Sequence, residues 1–223
     1  MTASPTVFLG YTENSQLVAW GMDELGGAIP EDIQSQLVKQ VRQVDFVLTN
    51  RWSIVALVNG NTSVLCWGDE SGGGDCADIQ QQLVDEERFI SIAASEKAYA
   101  VITSQGRVLA WGDAQSGGSI PISLLADLSS DVVEIVANKG AFAARKSTGK
   151  VVAWGNAVYG GSTSAVASLV GASVVKVLGS SAAFLAVLSD GRVVGWGHAL
   201  TINSPGVQSP LVELEQTSQI VAY

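Results

Sequence analysis

The sequence predicts a mainly β fold, a single five-bladed β-propeller domain over residues 1–223, and three observations carry that prediction. A phrase ending in Trp-Gly returns five times: Leu17-Val18-Ala19-Trp20-Gly21, Val64-Leu65-Cys66-Trp67-Gly68, Val108-Leu109-Ala110-Trp111-Gly112, Val151-Val152-Ala153-Trp154-Gly155 and Val193-Val194-Gly195-Trp196-Gly197. Its tryptophans stand 47, 44, 43 and 42 residues apart, a period of about 43 residues that marks propellers or solenoids. The phrase is the second arm of a hairpin, written most clearly as Ala141 to Ser147, a turn at Thr148-Gly149, then Lys150 to Trp154.

Each element of the unit follows in order. Ahead of the hairpin lies another short β-rich run: Val44 to Leu48, Ile90 to Ala94, Val133 to Ala137 and Val175 to Gly179. Three antiparallel strands joined in sequence are the least that a blade needs, so blades of three or four strands are predicted. After each of the first four tryptophans comes a glycine pair, Gly26-Gly27, Gly73-Gly74, Gly117-Gly118 or Gly160-Gly161, whereas the fifth unit has Ile202-Asn203. Beyond the glycines, Pro30 to Val38 and Ala77 to Val84 have helical composition with acidic first turns, which predicts short helical insertions packed through Ile33, Leu37, Ile79 and Leu83.

At the ends, Val7 to Thr12 reads as the middle strand of the first unit, which lacks a first strand, and Gln219 to Tyr223 aligns with the first strand of another unit. The expectation is a ring closed by pairing residues 219–223 into the first blade, which removes free sheet edges.

Composition limits the function classes. With 47% hydrophobic and 15% charged residues and a mean hydropathy of +0.29, the chain has material for a large core. A net charge of −9 repels phosphate backbones and anionic lipid, so neither nucleic acid nor a membrane is expected as a direct ligand. The start, Met-Thr-Ala-Ser-Pro, lacks the features of a signal peptide, and the cytoplasm is the default compartment, with leaderless secretion left open. Cys66 stands where the other units have Ala or Gly and reads as a small core residue; Cys66 and Cys76 have no zinc spacing.

The run Ala183 to Gly197, and almost as well Ala98 to Gly112 and Ala141 to Gly155, resembles the repeat of the regulator of chromosome condensation family. The shared features are the small-aromatic-small strand, the Gly-Arg/Lys-Val turn and the Trp-Gly ending. The resemblance implies a propeller whose loops bind other proteins. It stops at the fold and a protein-binding role, because the family's namesake has seven longer blades and basic tails. In unit length the chain is more similar to the bacterial propeller that inhibits β-lactamases.

The candidate binding residues lie in the loops after Trp-Gly, which leave the strands on one rim: Asp23, Glu24, Asp69, Glu70 and Asp113 on an acidic side, with Asn156, Val158, Tyr159, His198 and Leu200 on a mostly apolar side. Against this stands a solvated rim of chance composition. The acidic side favours a protein partner with a basic patch. Trp52, in Asn50-Arg51-Trp52-Ser53, sits outside the repeat and is a further binding candidate.

The five repeated tryptophans raise an alternative, a five-bladed lectin that stacks glycans on indole faces; burial between blades, with each N–H bonded to a carbonyl, is the structural reading. Asp69, Glu70 and Asp75 lack the alternating series of a calcium loop, so no metal is expected, and no phosphate-cradling glycine motif or other cofactor signature occurs. His198, the single histidine, replaces Met, Asp or Asn of other units with no triad pattern around it. The predicted function is therefore a non-enzymatic protein-binding module, a scaffold or inhibitor-like protein.

Overall fold

The middle strand of each unit is apolar almost throughout, as in Ile54-Val55-Ala56-Leu57-Val58, so it needs cover on both faces. In the computed structural model, which describes residues 2–13, 16–39, 44–84 and 86–198, stacked sheets provide that cover. Five three-stranded antiparallel sheets follow one another along the chain. They comprise β1 (Thr2–Ala3), β2 (Val7–Tyr11) and β3 (Leu17–Gly21); β4 (Val44–Thr49), β5 (Ser53–Val58) and β6 (Ser63–Gly68); β7 (Phe89–Ala94), β8 (Ala98–Thr103) and β9 (Val108–Gly112); β10 (Val132–Ala137), β11 (Ala141–Lys146) and β12 (Val151–Gly155); β13 (Val174–Gly179), β14 (Ala183–Leu188) and β15 (Val193–Gly197).

The helical insertions are present but short: α1 (Glu31–Lys39), α2 (Ala77–Gln81), α3 (Ile122–Leu125) and α4 (Ala167–Val170). Ile33 and Ile79 are buried, with Leu37 and Leu83 packed beside the same cores as the sequence predicts. No helix among the described residues is long and apolar enough to cross a membrane.

Neighbouring sheets share one core apiece. Val7, Leu9 and Leu17 pack with Ile54, Ala56, Val58 and Trp67, and the pattern repeats until Ala141, Ala143 and Ala153 pack with Val177, Phe184 and Trp196. Each tryptophan from the second unit onward is thus enclosed by the sheet before it. Its indole N–H donates to the first glycine carbonyl of the preceding unit: Trp67 to Gly26 at 3.1 Å, Trp111 to Gly73 at 3.1 Å, Trp154 to Gly117 at 2.9 Å and Trp196 to Gly160 at 2.9 Å. The glycine is required there. Gly117 has φ +93°, and a Cβ on it would lie 2.6 Å from the Phe142 ring, which itself stacks on Trp154 at 5.3 Å between centroids.

Two findings correct the sequence reading. The first unit does have a first strand: β1 pairs Thr2 with Leu9 and Ala3 with Phe8, the positions where Leu48 and Thr49 pair in the second sheet. The closing strand expected over residues 219–223 lies outside the described residues. Trp20 is not buried between sheets; it is 47% exposed and Phe8, at 6.0 Å between ring centroids, is 53% exposed, because among the described residues no sheet precedes theirs.

A further finding concerns the cysteines, whose bonding the sequence leaves open. Cys66 and Cys76 are bonded to each other, joining β6 to the residue that precedes α2, although both are also buried as the core reading requires. A stable bonded pair belongs to oxidising compartments more than to the reducing cytosol, which weighs against the cytoplasmic expectation.

Candidate protein-docking rim

Strand direction decides what shares a face. The turn between the first and second strands and the loop after the third strand emerge at one end of every sheet, and backbone bonds tie them together. The N–H of Met22, Asp69, Asp113, Asn156 and His198 donates to the carbonyl of Thr6, Trp52, Lys97, Gly140 and Ala182, respectively, at 2.9–3.1 Å. The first four loops then make one 3-10 turn, Asp23–Leu25, Glu70–Gly72, Ala114–Ser116 or Ala157–Tyr159, ended by a glycine in the left-handed conformation.

Side chains add a second tie from turn to loop. Asn50 Nδ2 donates to the Gly72 carbonyl at 2.7 Å, Ser95 Oγ to that of Ser116 at 2.8 Å, and Asn138 Nδ2 to that of Tyr159 at 2.6 Å. In the second unit the tie runs deeper: the buried Tyr99 hydroxyl donates to the Ser53 carbonyl at 2.7 Å and accepts from the Asn50 N–H at 3.0 Å. Burial pushes that phenol well above its ordinary pKa, so it stays a neutral donor.

Turns of successive sheets also meet one another, because their first strands lie side by side. Thr6 Oγ1 donates to the Arg51 carbonyl at 3.2 Å, the Glu96 N–H to the Lys139 carbonyl at 3.0 Å and the Lys139 N–H to the Ser181 carbonyl at 3.3 Å. The rim therefore has an inner row of linked turns and an outer arc of loops.

No family model matches the chain, and no curated protein matches it. Solved structures do. Prp20p from Saccharomyces cerevisiae aligns with a TM-score of 0.56 at 17% identity, over 86% of this chain and 55% of that one. The same protein, also called yeast RCC1, has been solved with Kap60 bound to it. Human WBSCR16 aligns with a TM-score of 0.55 at 16% identity, over 86% and 59% of the two chains. The ectodomain of the Physcomitrella patens receptor kinase CR4 gives 0.54 at 14%, over 86% and 50%. The fold is that of an RCC1-like β-propeller. The chain spans between 50% and 59% of the length of these three.

On this rim the sequence-predicted residues separate into two kinds. Asp69 and Asn156 are structural caps, Asp69 Oδ1 accepting from the Gly72 N–H at 3.0 Å and Asn156 Oδ1 from the Val158 N–H at 2.9 Å, while Asp113 Oδ2 accepts from Ser116 Oγ at 2.7 Å within its own turn. Asp23, Glu24 and Glu70 are exposed, and among the described residues their side chains make no hydrogen bond or ion pair. Val158 is exposed, Tyr159 is half-buried against Gly140, and His198 is half-buried, whereas Leu200 lies outside the described residues. Asp75 caps the start of α2 through the Ala77 N–H at 3.0 Å.

Trp52 joins the inner row of the propeller. Its Cβ packs where Gly72 has no side chain, its indole N–H is enclosed without an acceptor among the described residues, and the Lys97 ammonium sits 4.1 Å from its ring centroid. Sequence reasoning missed Lys97 and its neighbours Arg51, Glu96 and Lys139. Their shared place, directly after the first strand of a unit, was the available signal.

Proposed function

We propose that this RCC1-like chain is a non-enzymatic protein-binding module, a scaffold or inhibitor-like protein, whose five sheets serve as five blades and whose partner docks on the rim of turns and loops. The observation that carries the reading is the double tie between turns and loops. The backbone bond in the first unit, and the backbone and side-chain bonds together in the second, set the unpaired carboxylates of Asp23, Glu24 and Glu70 on backbone that is already ordered, so little further ordering is lost on binding. Those carboxylates favour a partner with a basic patch, and Val158 with Tyr159 offers apolar contact. The structural neighbours lend support from outside: Prp20p is described as binding Gsp1p and histones, and Kap60 has been captured bound to it.

The lectin alternative needs indole faces open to a sugar ring. Trp67, Trp111, Trp154 and Trp196 are at most 6% exposed, which leaves no such face on four of the five.

The test starts with affinity capture and mass spectrometry, followed by kinetics on the captured protein. Reversing Asp23, Glu24 and Glu70 to lysine should slow association at low salt and flatten its salt dependence. Equal association of the reversed variant at low salt would overturn the use of this rim.

A further inference from the structure

We propose that the inner row of turns receives a carboxylate-bearing segment of the docked protein, held by Arg51, Lys97 and Lys139 around Trp52; this deepens, and rests on, the reading of the rim as a protein-docking surface. The chain has 12 basic and 21 acidic residues, yet three cations and one carboxylate, Glu96, gather in three successive turns. A local charge of +2 thus stands within a molecule of net −9. The backbone bond from Glu96 to the Lys139 carbonyl holds two of these turns together, while Glu96 spans Arg51 at 3.5 Å and Lys139 at 3.6 Å.

Those ion pairs are long, and the side chains of Arg51 and Lys139 are 58% and 53% exposed, so one carboxylate shared between two cations leaves most of their donors facing water. Lys97 differs. Its ammonium rests on the Trp52 ring, and no carboxylate pairs with it among the described residues. The ring orients the cation without using its N–H donors, which remain for an incoming oxygen anion.

The surrounding charge selects the kind of anion. A nucleic acid or other long phosphate chain would have to cross the arc of Asp23, Glu24, Asp69, Glu70 and Asp113, which repels it. A short acidic segment meets the inner cations within the screening distance of about 8 Å at physiological salt and avoids the arc. A partner that is basic at its margin and acidic at its centre matches both signs of the rim.

Fluorescence anisotropy at low salt tests this with a labelled Gly-Ser-Glu-Glu-Asp-Ser-Gly peptide, its Gln/Asn counterpart and a thymidine oligonucleotide. The intact chain should bind the acidic peptide about tenfold more tightly than the amide peptide, a difference of about 1.4 kcal/mol. Lys97→Glu with Lys139→Glu should abolish the preference, and Lys97→Gln with Lys139→Gln should reduce it at an unchanged melting temperature. Equal binding of the two peptides, tighter binding of the oligonucleotide, or indifference to both double variants would overturn the proposal. The Asp23, Glu24 and Glu70 reversal separates the two readings: it should weaken the captured partner but not the peptide. If it weakens the partner while the peptide preference is absent, the rim stands and the inner site falls.

Discussion

The first sheet and the four that follow it carry the same Trp-Gly phrase, yet Trp20 is 47% exposed while Trp154 is fully buried. Both indoles stack on an aromatic residue of their own middle strand, Phe8 and Phe142. What differs is the unit before: Trp154 has the Gly117 carbonyl and the third sheet against it, and Trp20 has no described sheet on that side. Burial here is conferred by the neighbour rather than by the motif, as in other repeat architectures where each unit completes the next.

The largest effect should come from removing a covered indole. Trp154→Ala should cost about 3–5 kcal/mol in urea unfolding, since it empties a large aromatic site and leaves the Gly117 carbonyl unpaired. A loss below about 1 kcal/mol would break the comparison by showing that cover adds little.

Cover should matter for charge as well. Glu87, whose side chain is wholly buried, accepts from Arg107 Nε at 3.1 Å and Nη2 at 2.6 Å, whereas Glu96 on the rim is 27% exposed in its pairs. Burial pushes the Glu87 carboxyl up, but the hydrogen bonds from Arg107, with help from Thr103 and the Val84 backbone, outweigh it and hold the pKa below its ordinary value. With the folded pKa depressed, its stabilisation is present above the ordinary carboxylate range and is lost as pH falls through the folded pKa. Glu87→Gln should therefore destabilise by about 1.5–3 kcal/mol at pH 7, and the gap to the unsubstituted chain should close in acid. A gap that persists unchanged at low pH would assign the loss to packing.

The smallest effect should be Trp20→Ala, under about 1 kcal/mol, as for a surface site. A cost equal to that of Trp154→Ala would sharpen the comparison differently, by showing that the first sheet is covered in solution.

The strands were legible because each is written several times, and a continuous apolar run followed by a glycine turn and a Trp-Gly ending leaves little choice of register; the hairpin from Ala141 to Gly155 pairs as its sequence indicates. The indole–carbonyl bonds were legible for the same reason. Trp20 was misread because its own five residues match those of its relatives, and cover by another sheet leaves no local mark. The Cys66–Cys76 bond occurs in a single unit, so no repeat exposed it. The inner cations were missed because Arg51, Glu96 and Lys139 are about 45 residues apart and become neighbours only when sheets stack. The acidic loops were located, but the division between capping Asp69 and unpaired Glu70 depends on a hydrogen bond that composition does not show.

The bond between Cys66 and Cys76 also encloses the 3-10 turn Glu70–Gly72 and the glycines after it in a covalent loop. A protease that nicks the chain inside this loop does not release two fragments. The pieces stay joined through sulfur and migrate as one species in a denaturing gel until a thiol is added. The second unit's share of the rim is the only one among the described residues with this property, so it can be cut and still remain a single molecule.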